Sequence, residues 1–192
     1  MPDSYPPFTK PELIAGFQQR ATTDDTFWSN FCPDTFLARP DDGSWSPAQN
    51  VLHLISATKP VVMALRLPRF LPRLLFGKSN APSRHYENIV QLYHDILAGG
   101  AQASGKYAPK SVTMPSDPVN YQRTRVATLT TAIQSLAKAL EPWSEQDLDR
   151  IQLPHPLLGK LTVREMLFFT LYHLGHHTAK VAKKGSMAMQ LA

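Results

Sequence analysis

Four places in the sequence carry the signal of a helix start, and each is followed by apolar residues at helical spacing. Three of them are capping boxes, in which the side chains of the first and fourth residues accept hydrogen bonds from each other's backbone N–H groups. They lie at residues 9–12 (TKPE), 46–49 (SPAQ) and 162–165 (TVRE). Residues 117–118 place an aspartate at the cap and a proline at the first helical position. These signals predict a predominantly helical chain.

Proline and glycine indicate where the helices end. The sequence contains 17 prolines and 9 glycines, mostly between the apolar segments. The predicted helices are about 10–32, 46–65, 84–98, 118–140 and 162–184. Pro60 predicts a kink or a break in the second helix, and Gly185 predicts the end of the last one. Because alternating strand patterns are not evident, we expect an all-α helix bundle.

The chain length of 192 residues fits a single domain spanning 1–192, with a core of about 10–184 and a C-terminal tail at 185–192. Residues 66–78 form an insert between the second and third helices that combines basic and apolar side chains. We predict a helical connector that caps one end of the bundle. A membrane-touching or partner-binding element is the alternative.

Composition excludes several functions. Lys and Arg number 20 against 15 Asp and Glu, and the surplus is spread along the chain, so we expect no nucleic-acid partner. The one cysteine, Cys32, excludes an intramolecular disulfide and a cysteine-rich zinc site. Apolar runs are too short for membrane insertion, and the N-terminus lacks the pattern of a signal peptide. We therefore expect a cytoplasmic protein.

Three of the seven histidines, His173, His176 and His177, fall within one stretch of the last helix. Histidines three or four positions apart on a helix can reach one metal ion, so spacing alone does not choose between the two pairs. With His173 at zero on the helical wheel, His177 lies at about 40° and His176 at about −60°. The apolar stripe contains His177 and borders His173. The inward pair is therefore predicted to be His173 and His177.

The best third ligand is His53, because the same helix face carries Asn50, Ala57, Val61 and Ala64. These small or neutral side chains leave room for a metal ion with an open fourth position. The alternative is that the inward histidines are ordinary hydrogen-bonded core residues.

Other polar residues near the predicted site are candidates for proton handling. His176, Glu165 and Tyr172 lie on the flank adjoining the inward face of the last helix, where they could also orient the ligands. His155, in the segment 155–160, is predicted to be a loop residue or a group at the mouth of a pocket. It is not expected to be a ligand.

Two segments resemble a known family. Residues 45–54 (WSPAQNVLHL) resemble the start of the second helix in DinB/YfiT-like proteins, and residues 155–167 (HPLLGKLTVREML) resemble the segment before its last histidines. The resemblance spans about 10–184. It implies an up-down-down-up four-helix bundle in which His53, His173 and His177 bind a divalent metal such as Zn, Ni or Fe.

Family members with an assigned activity are transferases or isomerases that use bacillithiol, mycothiol or glutathione. The resemblance therefore implies a metal-dependent thiol S-transferase or hydrolase, in which the metal activates water or a low-molecular-weight thiol toward a small substrate. We expect a homodimer. The alternative is a non-catalytic bundle with a structural or vestigial metal site that acts through dimerisation or protein interaction.

Overall fold

The computed structural model describes residues 9–109 and 111–190, with side chains up to residue 184. Its elements, in chain order, are α1 (Lys10–Ser29), α2 (Pro33–Leu37), α3 (Pro47–Arg66), α4 (Phe70–Phe76), α5 (Tyr86–Ala98), a 3₁₀ turn (Gly105–Tyr107), α6 (Pro118–Leu140), α7 (Glu145–Arg150), β1 (Gln152–His155), β2 (Gly159–Thr162) and α8 (Val163–Gln190). The chain is predominantly helical, as predicted. Residues 1–8, on which the signal-peptide prediction rests, and residues 191–192 of the predicted tail lie outside the described residues.

The predicted helix starts are confirmed. Thr9 and Ser46 each form a complete capping box, and Asp117 accepts a hydrogen bond from the backbone of Asn120. Ahead of α8, the Thr162 hydroxyl accepts from the backbone N–H of Glu165, whose carboxylate accepts from the backbone N–H of Thr162. The local signals therefore determine where the long helices begin.

The long helices share one core. Helix α1 packs against α6 and α8, α3 also packs against α6 and α8, and α5 packs on α8. Large side chains that are fully buried at these contacts are Phe17, Trp28, Leu54, Ile133, Leu136 and Phe168. In the part of the chain that the structure describes, no helix is both long and apolar enough to cross a bilayer.

The structure differs from the expected elements at three places. Helix α3 continues unbroken through Pro60, because buried residues before and after it, such as Leu54 and Leu65, hold both halves in the core. Helix α8 continues past Gly185 to Gln190, and one interior glycine costs a helix only about 1 kcal/mol. The chain also contains an antiparallel hairpin, β1–β2, in which Leu153 pairs with Leu161.

The insert at 66–78 contains the short helix α4, so the expectation of a helical segment here is confirmed. The guanidinium of Arg69 donates to the carbonyl of Pro142 and lies 5.2 Å from the centre of the Trp143 ring. Helix α4 also contacts β1. Several apolar side chains of this helix face solvent, with 64% to 77% exposure: Phe70, Leu74 and Leu75.

Candidate metal centre

Two helices bring three buried histidines together. His53 comes from α3, while His173 and His177 come from α8, and each is 5% exposed. Nε2 of His173 lies 3.1 Å from Nε2 of His53 and 3.1 Å from Nε2 of His177. One nitrogen from each ring lies within 4.8 Å of the others. The structure thus assembles the three residues that the sequence singles out.

Aromatic side chains hold the rings in place. The Trp45 ring stacks on His177 with centroids 5.9 Å apart, and Phe169 stacks on His173 with centroids 5.0 Å apart. The Tyr93 ring also meets the His173 ring in a T-shaped contact. Because these neighbours are packed on both sides of the cluster, the imidazoles have little freedom to turn away from one another.

Asn50 determines the tautomer of His177. The amide nitrogen of Asn50 donates to the carbonyls of Ser46, at 2.9 Å, and Trp45, at 3.3 Å. Its amide oxygen is therefore turned toward His177, whose Nδ1 lies 2.7 Å away. Since that oxygen only accepts hydrogen bonds, Nδ1 of His177 carries the proton. Nε2 of His177 consequently presents a lone pair to the cluster.

His53 is oriented in the same way by a backbone group. Its Nδ1 lies 2.7 Å from the carbonyl oxygen of Tyr107, in the 3₁₀ turn between α5 and α6. A carbonyl oxygen can only accept, so Nδ1 of His53 is protonated and its Nε2 also carries a lone pair. The long α5–α6 connection therefore supports the cluster.

This donor set fits a metal ion. The lone pairs of His53 and His177 both face Nε2 of His173, which holds at most one proton and can donate to only one of them. At least one of the two 3.1 Å contacts therefore sets one lone pair against another, which a bound cation would relieve. Nitrogens bound at 2.0–2.1 Å to a tetrahedral ion are about 3.3 Å apart, close to the separation observed here.

Burial keeps all three rings neutral. It lowers the pKa of His53 and takes the pKa values of His173 and His177 well below the usual 6.5, with the neighbouring imidazoles adding to the effect. Only neutral imidazole coordinates a metal, so the cluster is ready to bind at neutral pH.

The three histidines form part of the wall of a cavity of about 590 Å³, a size typical of small-molecule sites. Most of the remaining wall is apolar: Ala57, Pro60, Val61, Ala64, Phe76, Leu97, Leu153, Leu157, Met166 and Phe169. Lys106 and Lys180 also line it. Among the described lining residues there is no aspartate or glutamate.

Of the three candidates for proton handling, His176 lies at this cavity and Tyr172 lies next to His176. Nδ1 of His176 is 3.4 Å from the hydroxyl of Tyr172. That hydroxyl is in turn 2.5 Å from Nε2 of the exposed His94. Burial lowers the pKa of His176 and raises that of Tyr172. The three side chains connect the cavity to the surface.

The third candidate, Glu165, faces elsewhere. Its carboxylate completes the cap of α8 at Thr162 and pairs with Arg84, whose Nε lies 2.8 Å from it. Burial raises the pKa of Glu165, but the hydrogen bonds from Arg84 outweigh it and lower the pKa overall. Glu165 is not among the described residues that line the cavity, so its contacts support the fold.

Sequence reasoning missed the two groups that orient the ligands. Asn50 was expected only to leave space beside His53, although its position one turn earlier on the same helix face could have indicated a polar partner. The Tyr107 carbonyl is a backbone group in an irregular segment, and no side-chain pattern points to it.

Three convergent, buried imidazoles in a cavity wall resemble the metal sites that helix bundles build from facing helices. The family model described as the DinB superfamily matches residues 18–181, and the chain belongs to that superfamily. The resemblance seen in the sequence is thereby confirmed. Comparison with curated proteins and with solved structures gave no match.

Proposed function

We propose that this protein is a metal-dependent enzyme in which His53, His173 and His177 hold a divalent ion, Zn, Ni or Fe. The observation that carries this proposal is the convergence of three Nε2 atoms, two of them with fixed lone pairs, in the wall of a cavity. A structural histidine cluster would have no need of a cavity of substrate size beside it.

When bound, the metal would lower the pKa of a water or thiol ligand and so supply a nucleophile near neutral pH. The protein's own residues do the positioning. Asn50 and the Tyr107 carbonyl hold the Nδ1 protons of His177 and His53, and the rings of Trp45 and Phe169 stack on the imidazoles of His177 and His173. Transfer of a low-molecular-weight thiol to a small substrate, or hydrolysis of that substrate, fits this arrangement.

His176 and Tyr172 are the residues proposed to handle protons. The Tyr172 hydroxyl lies between ring nitrogens of His176 and His94, so a proton released in the cavity has a path to an exposed imidazole. Glu165 is not proposed for this role, because its carboxylate is engaged by Arg84 and by the cap of α8.

The test begins with metal analysis of protein purified without an affinity tag. The same protein is then assayed for conjugation of glutathione, bacillithiol or mycothiol to monochlorobimane, in which the sulfur displaces chloride, with and without chelator. We expect bound metal and chelator-sensitive turnover in the wild type. His177→Ala should show neither bound metal nor turnover. Glu165→Gln, away from the cavity, is the matched control for general damage to α8.

Two results would count against the enzyme. Protein without bound metal would remove the basis of the proposal. Bound metal without chelator-sensitive turnover of any of the three thiols would instead favour the non-catalytic alternative, a bundle with a structural or vestigial metal site.

A further inference from the structure

The hairpin turn fixes the tautomer of a fourth histidine at the cavity. Nδ1 of His155 lies 3.2 Å from the backbone nitrogen of Leu157 and 3.0 Å from that of Leu158. Both backbone groups are N–H donors, so Nδ1 of His155 must accept and cannot carry the proton. The proton is therefore on Nε2, and the neutral ring is a hydrogen-bond donor with one free position.

That donor is placed to serve a ligand. The half-buried ring of His155 lines the cavity, with its centroid 4.3 Å from that of Phe169, the ring that also stacks on His173. Within residues 9–109 and 111–184, Nε2 of His155 meets no hydrogen-bond acceptor. Burial lowers the pKa of His155 to about 4, so the ring stays neutral at physiological pH.

The charges of the cavity indicate the sign of the ligand. Lys106 and Lys180 are the charged residues among its described lining, and Lys180 lies one turn beyond His176 on α8. Without a lining carboxylate to balance them, these ammonium groups favour an anion. The largely apolar remainder of the wall favours a hydrocarbon body on the same molecule.

We propose that the cavity binds a small carboxylic acid with an apolar body, and that Nε2–H of His155 donates to one of its carboxylate oxygens. His155 is thus a specificity residue for the ligand, and Lys180 supplies the preference for negative charge. The inference rests on the proposed function only where it takes this acid to be the substrate of the enzyme. Binding of the acid itself is measured without metal.

The experiment is calorimetric titration of metal-free protein with three matched probes: hydrocinnamate, its neutral amide and phenylpropylamine. We expect the acid to bind most tightly and the amine most weakly. His155→Asn is the main variant, because the asparagine oxygen can still accept from the turn while the Nε2 donor is lost. It should bind the acid about tenfold more weakly, the loss typical of a hydrogen bond to a charged group.

Lys180→Met separates charge from hydrogen bonding. It should remove much of the preference for the acid over the amide and leave binding of the amide unchanged. The proposal is overturned if His155→Asn binds the acid as tightly as the wild type, if the amine binds as well as the acid, or if the acid does not bind at all.

A second measurement covers the case in which His155→Asn does not fold. In the wild type, long-range ¹H–¹⁵N spectra should show His155 protonated at Nε2, with the Nε2 proton moving downfield on addition of hydrocinnamate. A resonance that does not move overturns the assignment. Metal content is read separately on the same preparations, so a missing metal with intact binding of the acid contradicts the proposed function and leaves this inference standing.

Discussion

Helix α8 carries two buried polar clusters that differ in one decisive respect. Near its start, the Arg164 side chain is almost fully buried, with its Nε 2.6 Å from an oxygen of Asp149 and its terminal nitrogen 2.7 Å from an oxygen of Glu145. Each charge in this cluster meets an opposite charge. About three turns later, His173 and His177 meet His53, and all three rings are neutral.

The comparison separates a polar cluster that is complete on its own from a cluster that could bind a cation. The arginine cluster is complete with the protein's own atoms, and removing Arg164 leaves two carboxylates without their shared partner. The histidine cluster directs at least two lone pairs at one point, where a bound cation would complete it. The arginine cluster of α8 thus stabilises the fold, whereas the histidine cluster is held in place by the residues packed around it.

The largest expected effect is on stability, at the arginine cluster. Arg164→Ala leaves Asp149 and Glu145 without their buried partner and should lower the free energy of unfolding by about 3 kcal/mol, the low end of the range for broken buried pairs because both carboxylates are partly exposed. Chemical denaturation measures this. Lys184→Ala, which breaks the exposed pair with Asp42, is the control and should leave the free energy of unfolding nearly unchanged.

Metal bound per folded molecule should be unchanged in Arg164→Ala. If folded Arg164→Ala lost its metal, the arginine cluster and the histidine cluster would not be independent of each other.

A smaller effect is expected from the group that orients His177. Asn50→Ala removes the acceptor for Nδ1–H and should weaken metal binding roughly 10-fold to 100-fold, as is usual for partners of metal-binding histidines. Competition with a chromophoric chelator measures the change. Asn50→Asp keeps an acceptor for Nδ1–H but loses the donors to the Ser46 and Trp45 carbonyls, so it should bind metal more tightly than the alanine variant and less tightly than the wild type. Equal affinity of the alanine variant would show that Asn50 does not orient the ligand.

The sequence predicted the faces of α8 because helical geometry is local. The wheel placed His173 and His177 inward and His176 on the flank, which agrees with their burial and contacts. It also placed Glu165 on that flank, but could not show that Arg84, far away in sequence, pairs with it. Side-chain direction could be predicted from periodicity, whereas partners from other segments could not.

The β1–β2 hairpin could not be predicted from the sequence. Its strands are four residues each, and Pro154 interrupts the first, so too few alternating residues were present to predict strands. The structure nevertheless uses the hairpin to bring His155 to the cavity. Gly159, at a φ of 72°, supplies the left-handed backbone that the turn needs.

The smallest effect that we expect is a dependence of the free energy of unfolding on pH, to which each of the three histidines contributes. The three histidines have lowered pKa values in the folded protein, so the unfolded chain takes up protons first as the pH falls through about 6.5. The free energy of unfolding of the metal-free protein should be constant above that pH. Below it, the free energy should fall by up to about 1.4 kcal/mol per pH unit for each histidine.

The arginine cluster responds in a different pH range. Burial raises the pKa of Asp149, but hydrogen bonds from Arg164 and Ser83 lower it overall, so the stability that Asp149 contributes is lost only in more acidic solution.

The pH dependence that the histidines cause is tested by denaturation curves of the wild type and of His53→Ala/His177→Ala between pH 5 and 7. The double variant should show a shallower slope, and an unchanged slope would mean that these rings are not buried in the neutral form.

The central claim is tested most directly by metal analysis of two neighbouring variants, each purified without a tag and compared with the wild type. His177→Ala removes one of three convergent nitrogens and should lose nearly all bound metal, since the remaining pair binds far more weakly. His176→Ala changes a side chain at the cavity edge and should retain the metal of the wild type. If His176→Ala loses the metal while His177→Ala keeps it, the ligand pair is His173 and His176 and the metal centre described here is wrong.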